Sequence, residues 1–208
     1  MKYLCTLPLA LLLTVSAAAQ DKSGWVELLK GGDLKENWFT TGNWILKDGV
    51  VALEPRPGEK GWQRYDAYLW AKKQYKEFEC EFEYKVEEKG NSGFYFHVGD
   101  LKEPVKKGIE VQLFDAPAKA DAKLTDHSSG GIIPGVPPTK NSAKPAGEWN
   151  KMLVVVKGNK ITVELNGVVV NDLPLDYKTI KDRPPTGYIG FQDHGLPLWL
   201  RNIKVREL

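Results

Sequence analysis

Cysteine is almost absent: the 208-residue chain holds two, Cys5 and Cys80. Neither a disulfide framework nor a cysteine-rich zinc site can be built from that pair. Charge of one sign is also missing, with 29 Lys and Arg against 27 Asp and Glu. The basic footprint that nucleic acid requires is therefore absent, and no nucleic-acid partner is expected. No phosphate loop, G-x-S-x-G elbow or Cys–His arrangement occurs. No segment keeps a helical period, and methionine is scarce. What is plentiful is aromatic side chain, with 7 Trp, 8 Tyr and 7 Phe, together with 20 Gly and 13 Pro. That balance reads as many turns between short strands in one globular domain.

One long apolar run exists, at the N-terminus. Lys2 precedes Leu4 to Val15, and Ser16-Ala17-Ala18-Ala19 offers small residues for cleavage before Gln20. The run is short for a membrane span and no stop-transfer segment follows. Residues 1–19 are expected to be a signal peptide, with 22–208 the folded domain, exported to the periplasm or beyond. A retained N-terminal anchor is the alternative. Cleavage would remove Cys5 and leave Cys80 alone. Cys80 sits in an alternating stretch, which predicts core packing rather than a nucleophile.

Strand signals follow in order. Lys47-Asp48-Gly49 and Asn166-Gly167 are hairpin turns between apolar runs, and Gly158-Asn159 joins 152–157 to 160–165. The clearest alternation is Glu79 to Val86, with Cys80, Phe82, Tyr84 and Val86 on one face. Glu79, Glu81, Glu83 and Lys85 lie opposite and read as a solvated outer face rather than a catalytic cluster. Residues 115–148 form a long irregular stretch rich in Pro, Gly and Ala, of the kind that carries function or is disordered. An all-β sandwich or barrel of one domain is expected.

Parity then sorts the polar residues. Glu110 and Gln112 share a face opposite Ile109, Val111 and Leu113. Tyr95 and His97 oppose Phe94, Phe96 and Val98. Tyr188, Gln192 and His194 fall together. Three strands each present a face of carboxylate, amide, imidazole and aromatic groups. Such groups suit a sugar, whose hydroxyls pair with planar polar partners and whose C–H faces pack on rings. The sequence does not show whether the three faces adjoin or are separate solvent-facing surfaces. His97, His127 and His194 with Glu110 could hold a metal, but no close His spacing supports zinc. Asp115, Asp121 and Asp126 lack the pattern of a calcium loop. No metal or other cofactor is expected.

Several segments, taken together, are recognisable. They are Gly24 to Leu29 with Gly32-Asp33-Leu34; Gly90-Asn91-Ser92-Gly93-Phe94-Tyr95-Phe96; Gly108-Ile109-Glu110-Val111-Gln112-Leu113-Phe114-Asp115; Pro145 to Asn150; Leu165-Asn166-Gly167; Gly187 to Gly195; and Arg201-Asn202-Ile203-Lys204-Val205. In this ordered set the chain resembles the 3-keto-disaccharide hydrolases, a family-16-like glycoside hydrolase domain. The resemblance implies a concanavalin A-like jelly roll, a β-sandwich of two antiparallel sheets. It points to Glu110, Gln112, Asp115, Gln192 and His194. Asn91 and Arg201 also match family positions. His97 stands near a place where the family often carries Arg. His127-Ser128-Ser129-Gly130-Gly131 looks like the family's loop over the groove.

The implied substrate sets a mechanism. Oxidation at C3 acidifies the C2 proton, so a base can form an enolate, the C1 substituent can leave, and water can add back. The resulting expectation is Glu110 as base and His194 or His127 as donor. Gln112, Gln192, His97, Tyr95, Asp115 and Arg201 would bind substrate. A separate sugar 3-dehydrogenase would supply the keto-sugar. A two-carboxylate glycosidase is disfavoured, because Gln112 stands where the jelly-roll endoglucanase run Glu-x-Asp-x-Glu needs its middle acid. A non-catalytic carbohydrate-binding module is the alternative of a different class.

Overall fold

The structure is a computed structural model that describes residues 24–115 and 122–208. The expected signal peptide, Cys5 and Asp121 lie outside these residues. Fourteen strands among the described residues carry the fold. They are β1 (Val26–Glu27), β2 (Trp38–Phe39), β3 (Trp44–Lys47), β4 (Val50–Leu53), β5 (Leu69–Tyr75), β6 (Phe78–Val86) and β7 (Asn91–Val98). The remainder are β8 (Ile109–Phe114), β9 (Ile132–Ile133), β10 (Asn150–Lys157), β11 (Lys160–Leu165), β12 (Val168–Pro174), β13 (Gly187–Phe191) and β14 (Leu198–Glu207). One four-residue helix, α1 (Pro104–Lys107), precedes β8.

All pairings are antiparallel and form two sheets. The larger runs β12-β11-β10-β6-β14-β4-β3, with β1 added beside β14. The smaller runs β2-β5-β13-β7-β8-β9. The hairpins at Asp48-Gly49 and Asn166-Gly167 turn with both residues at positive φ, which the twist of the flanking strands favours.

The core lies between the sheets. On β6 the expected alternation holds from end to end: Phe78, Cys80, Phe82, Tyr84 and Val86 are buried and the residues between are half-buried. Phe82 meets Phe94 of β7 at 5.1 Å and Phe191 of β13 at 5.0 Å between ring centroids. Truncating such a ring to alanine costs roughly 3–5 kcal/mol through lost burial and the cavity left behind. Cys80 is fully buried, and burial pushes its thiol well above its ordinary range, as a packing residue requires.

The outer face of the larger sheet is a solvated ion-pair surface. Glu79 faces Arg206, Glu81 lies 2.8 Å from both Lys151 and Lys204, and Glu83 takes Arg201. Arg201 is therefore not a sugar contact of the groove. It sits on β14 of the opposite sheet, bonded to Glu83 and stacked 4.1 Å over Trp149. A register shift between Arg201 and Lys204, with Asn202 at φ 53°, turns two successive polar side chains outward, and both bind Glu83.

Candidate functional site

A pocket of about 220 Å³ opens on the outer face of the smaller sheet. Its floor is set by strand parity. Glu110 and Gln112 of β8, Tyr95 of β7 and Gln192 just after β13 point away from the core into it. Trp62, His127, Ile133 and His194 reach it from loops and the edge strand, with Asn91 and Val105 completing the wall. Three strands that the sequence could not show to be neighbours are thus adjacent. Sequence parity gave no signal for Trp62, which lies in an irregular loop, or for Val105.

Glu110 is the pocket's central charge. It is 6% exposed, and its Oε2 accepts a 2.6 Å hydrogen bond from the Tyr95 hydroxyl. Loss of water dominates its titration and raises it to about 7, with the Tyr95 bond and the His127 ring opposing the rise and Asp126 adding to it. Burial and the neighbouring carboxylate also hold the Tyr95 phenol well above its usual range, so it stays a neutral donor. Gly93 on β7 makes the geometry possible, because a Cβ there would fall 2.1 Å from Glu110 Oε1. Gly190 does the same for the floor: a Cβ would stand 2.3 Å from the Trp70 indole.

The amides are held in place. Gln112 donates to Asn91 Oδ1 at 2.7 Å, and Gln192 donates to the Tyr68 hydroxyl at 3.1 Å. The main chain of Gln192 is fixed by Gly93 and by the Ser92 hydroxyl. Gln192 Oε1 is buried with no hydrogen-bond partner among the described residues. A buried acceptor left open beside a pocket is suited to a ligand donor, since such groups are otherwise satisfied.

Two networks set the rim. His127 shares Nδ1 with Asp126 Oδ1 at 2.8 Å, and Asp126 Oδ2 accepts Gly135 N–H at 2.6 Å. With Nδ1 bonded, Nε2 is the ring atom left for other partners. On the other side, Arg64 bridges Glu59 at 2.9 Å and fully buried Asp193 at 3.2 Å. This ties the loop of Trp62 to the loop of His194. Burial raises Asp193, opposed by the Gly195 amide and Arg64.

Two further expectations fail on geometry. His97 adopts φ 52° at a register shift where β7 spends two residues against one of β13. The bulge turns its ring to Phe78 and Phe96, with Nε2 against Lys76 O at 2.7 Å, and sends Val98 to the Tyr95 face instead. Asp115 ends β8 outside the pocket and accepts the Lys89 amide at 3.0 Å, closing the turn before β7. The metal grouping of His97 with the other histidines is dissolved by the same bulge. Among the described residues no three His, Cys, Asp or Glu side chains gather closely enough to hold a metal ion.

A two-sheet antiparallel sandwich with an amide, carboxylate and aromatic pocket on one outer face defines a carbohydrate-active protein of concanavalin A-like fold. The description of its family is more specific. The 3-keto-α-glucoside-1,2-lyase-like domain matches residues 24–206, and the chain belongs to that family. The 3-keto-disaccharide hydrolase of Bacteroides thetaiotaomicron is 28% identical over 203 residues, covering 79% of this chain and 70% of that protein. Two Parabacteroides distasonis proteins assigned as glycosyl hydrolases share the fold. One superposes with a TM-score of 0.75 at 23% identity, covering 95% of this chain and 98% of the other. The second gives 0.74 at 26% identity, with 88% and 99% covered. A carbohydrate-binding module from Bacillus subtilis shares the sandwich alone, with a TM-score of 0.54 at 14% identity over 88% of this chain and 96% of that one.

Proposed function

We propose that this protein cleaves the glycosidic bond of 3-keto-glycosides by elimination and hydration. The observation that carries the reading is a lone carboxylate in the pocket. Among the described residues, Glu110 is the one acid lining it, accompanied by two histidines and three side-chain amides. Ordinary glycosidases need two carboxylates roughly 5–9.5 Å apart across the scissile bond. A base that removes a carbon-bound proton needs one, with its titration near the working pH.

In the proposed sequence Glu110 takes the C2 proton. The electron pair becomes the enolate of the C3 ketone. Collapse of the enolate restores C3=O, forms C1=C2 and expels the C1 substituent, which is protonated by His127 or His194. Water then adds, hydroxyl to C1 and proton to C2, for a net hydrolysis. The Asp126 bond to Nδ1 favours Nε2 of His127 as the proton carrier. Gln112 and Gln192 are proposed to hold ring hydroxyls, with Gln192 Oε1 as acceptor. The volume, below the roughly 300–1,000 Å³ of drug-sized sites, suits one sugar ring. These steps use acid and base groups alone, so chelator is expected to leave the rate unchanged.

The test is glycone release from a 3-keto-glucoside and from its unoxidised parent. Release from the keto form alone supports the reading. Sugar binding without release from either moves the protein to the carbohydrate-binding class. Residues 1–19 are proposed to be an export signal, on Lys2, the apolar run and the Ala17-Ala18-Ala19 site. No helix among the described residues is long and apolar enough to cross a membrane. The keto-sugar is proposed to come from a separate sugar 3-dehydrogenase.

A further inference from the structure

Gln192 enters the pocket floor from just after β13, and its polar groups can be accounted for one by one. Its main-chain N–H donates to Gly93 O at 2.9 Å, and its main-chain carbonyl accepts the Ser92 hydroxyl at 2.9 Å. Gly93 pairs in turn with Gln112 of β8, so Gln112 and Gln192 stand on either side of a residue with no side chain. Glu110 Oε1 leans into the space over that residue, where a Cβ would fall 2.1 Å from it. The proposed base and the Gln192 side chain therefore border the same opening.

The direction of the Gln192 side-chain amide is set by another residue. Tyr68, which precedes β5, donates its hydroxyl proton to Trp62 O at 2.6 Å. A carbonyl oxygen only accepts, so that bond has one direction and uses the single phenolic proton. The Tyr68 oxygen is left as an acceptor, and the Gln192 group 3.1 Å from it is the NH2. Tyr95 does not compete, because its own proton goes to Glu110. Burial holds the Tyr68 phenol above its usual range, so it keeps its proton. The Tyr68 ring is fully buried and stacks on Trp70 at 5.4 Å between centroids, which fixes the hydroxyl in place. The other end of the amide, Gln192 Oε1, is buried and without a partner among the described residues, on a residue that is 5% exposed.

We infer that Tyr68 is a positioning residue that sets the specificity of the pocket: it locks Gln192 with the amide oxygen toward the sugar, so the site demands a hydroxyl that donates and rejects a group that only accepts. The inference rests on the 3-keto-glycoside reading and names what that glycone must carry. This is a free hydroxyl at C4 or C6, on carbons that the proposed reaction leaves untouched. An amide free to turn would suit either kind of group, since one end offers N–H and the other C=O. The lock removes that choice and leaves a mismatched group facing a buried lone pair, with the penalty of an unmade hydrogen bond.

Fluorine is close to hydroxyl in size and has no proton to give. The experiment measures kcat/KM of the full protein on 4-nitrophenyl 3-keto-glucoside and on its 4-deoxy-4-fluoro and 6-deoxy-6-fluoro forms. Each value is divided by the rate of the same substrate in hydroxide, which removes the inductive effect of fluorine. The wild type is expected to prefer the parent about 30-fold over one of the two fluoro forms. Tyr68→Phe keeps the ring and frees the amide. It should lower kcat/KM on the parent about threefold and raise it on that fluoro form about threefold. A merely structural role would lower both together. Gln192→Leu, which removes the acceptor, should erase the preference. Equal wild-type values on all three substrates, an unchanged preference in Tyr68→Phe, or a preference that survives in Gln192→Leu overturns the inference while leaving the pocket's function intact. If no keto substrate is cleaved, the function reading fails by itself, and the lock is judged by calorimetric titration with methyl glucoside and its 4-fluoro and 6-fluoro forms. A preference for the parent that relaxes in Tyr68→Phe supports the lock, and equal or absent binding of all three overturns it.

Discussion

The two outer faces of the sandwich both carry buried or half-buried glutamates, and they treat them in opposite ways. On the larger sheet, burial nudges Glu81 and Glu83 upward. Lys151 and Lys204 around Glu81, and Asn202 and Arg201 around Glu83, outweigh it and hold both carboxyls below their usual range. On the smaller sheet Glu110 faces a neutral phenol, and among the described residues no lysine or arginine bonds to it, so desolvation wins and the group rises to about 7. The difference teaches where chemistry resides. A carboxylate whose oxygens are both taken by cationic or amide donors is spent on structure, whereas one kept dry beside a phenol remains able to take a proton.

The largest expected effect separates the two faces directly. Glu110→Gln should lower kcat on a 3-keto-glucoside by about 10³-fold, the usual worth of a positioned base. Glu81→Gln should leave kcat within about twofold, because its side chain faces away from the pocket. Steady-state kinetics on the two variants measures both.

The next effect is on stability. Glu110 titrates higher folded than unfolded, so the native state binds the extra proton between about pH 4.5 and 7. The stability this group contributes is complete below its unfolded pKa and is lost as pH rises through about 7, by about 3 kcal/mol. Chemical denaturation across that range should show the fall, and Glu110→Gln should flatten it, making an inactive variant more stable at pH 8. The rate should move the other way, with kcat/KM climbing as the base ionises near pH 7.

Smaller effects test the supports. Asp193→Asn breaks the Arg64 link between the loops of Trp62 and His194. Because Arg64 is partly exposed, the cost should be about 1–2 kcal/mol, with KM rising as the rim loosens. Glu83→Gln, at the Arg201 pair, should cost under about 1 kcal/mol and leave kcat and KM unmoved. Thermal melts beside kinetics distinguish the two, and a KM change in Glu83→Gln would blur the contrast between the faces.

Much of this was legible in the sequence wherever a strand kept its period. Phe78 to Val86 alternates without a break, so the inward ring set and the outward acids of β6 could both be assigned. The same holds for Glu110 and Gln112. Legibility ended where the backbone departs from the period. His97 and Asn202 take positive φ at bulges, and neither residue type announces one. Strict alternation therefore assigns His97 to the wrong face. Arg201 fails for another reason: it rests on the family resemblance alone, and a matched position does not say which of the two sheets its strand joins. Trp62 and Asp126 act from irregular segments, where no period exists to be read.

The most direct test of the central claim is cleavage of a 3-keto-glucoside in deuterium oxide, with the keto-sugar analysed at early times. Elimination followed by hydration predicts release from the keto substrate alone, solvent deuterium at C2 of the product, and loss of both release and label in Glu110→Gln. Release without deuterium at C2, or equal release from the unoxidised glucoside, would contradict it.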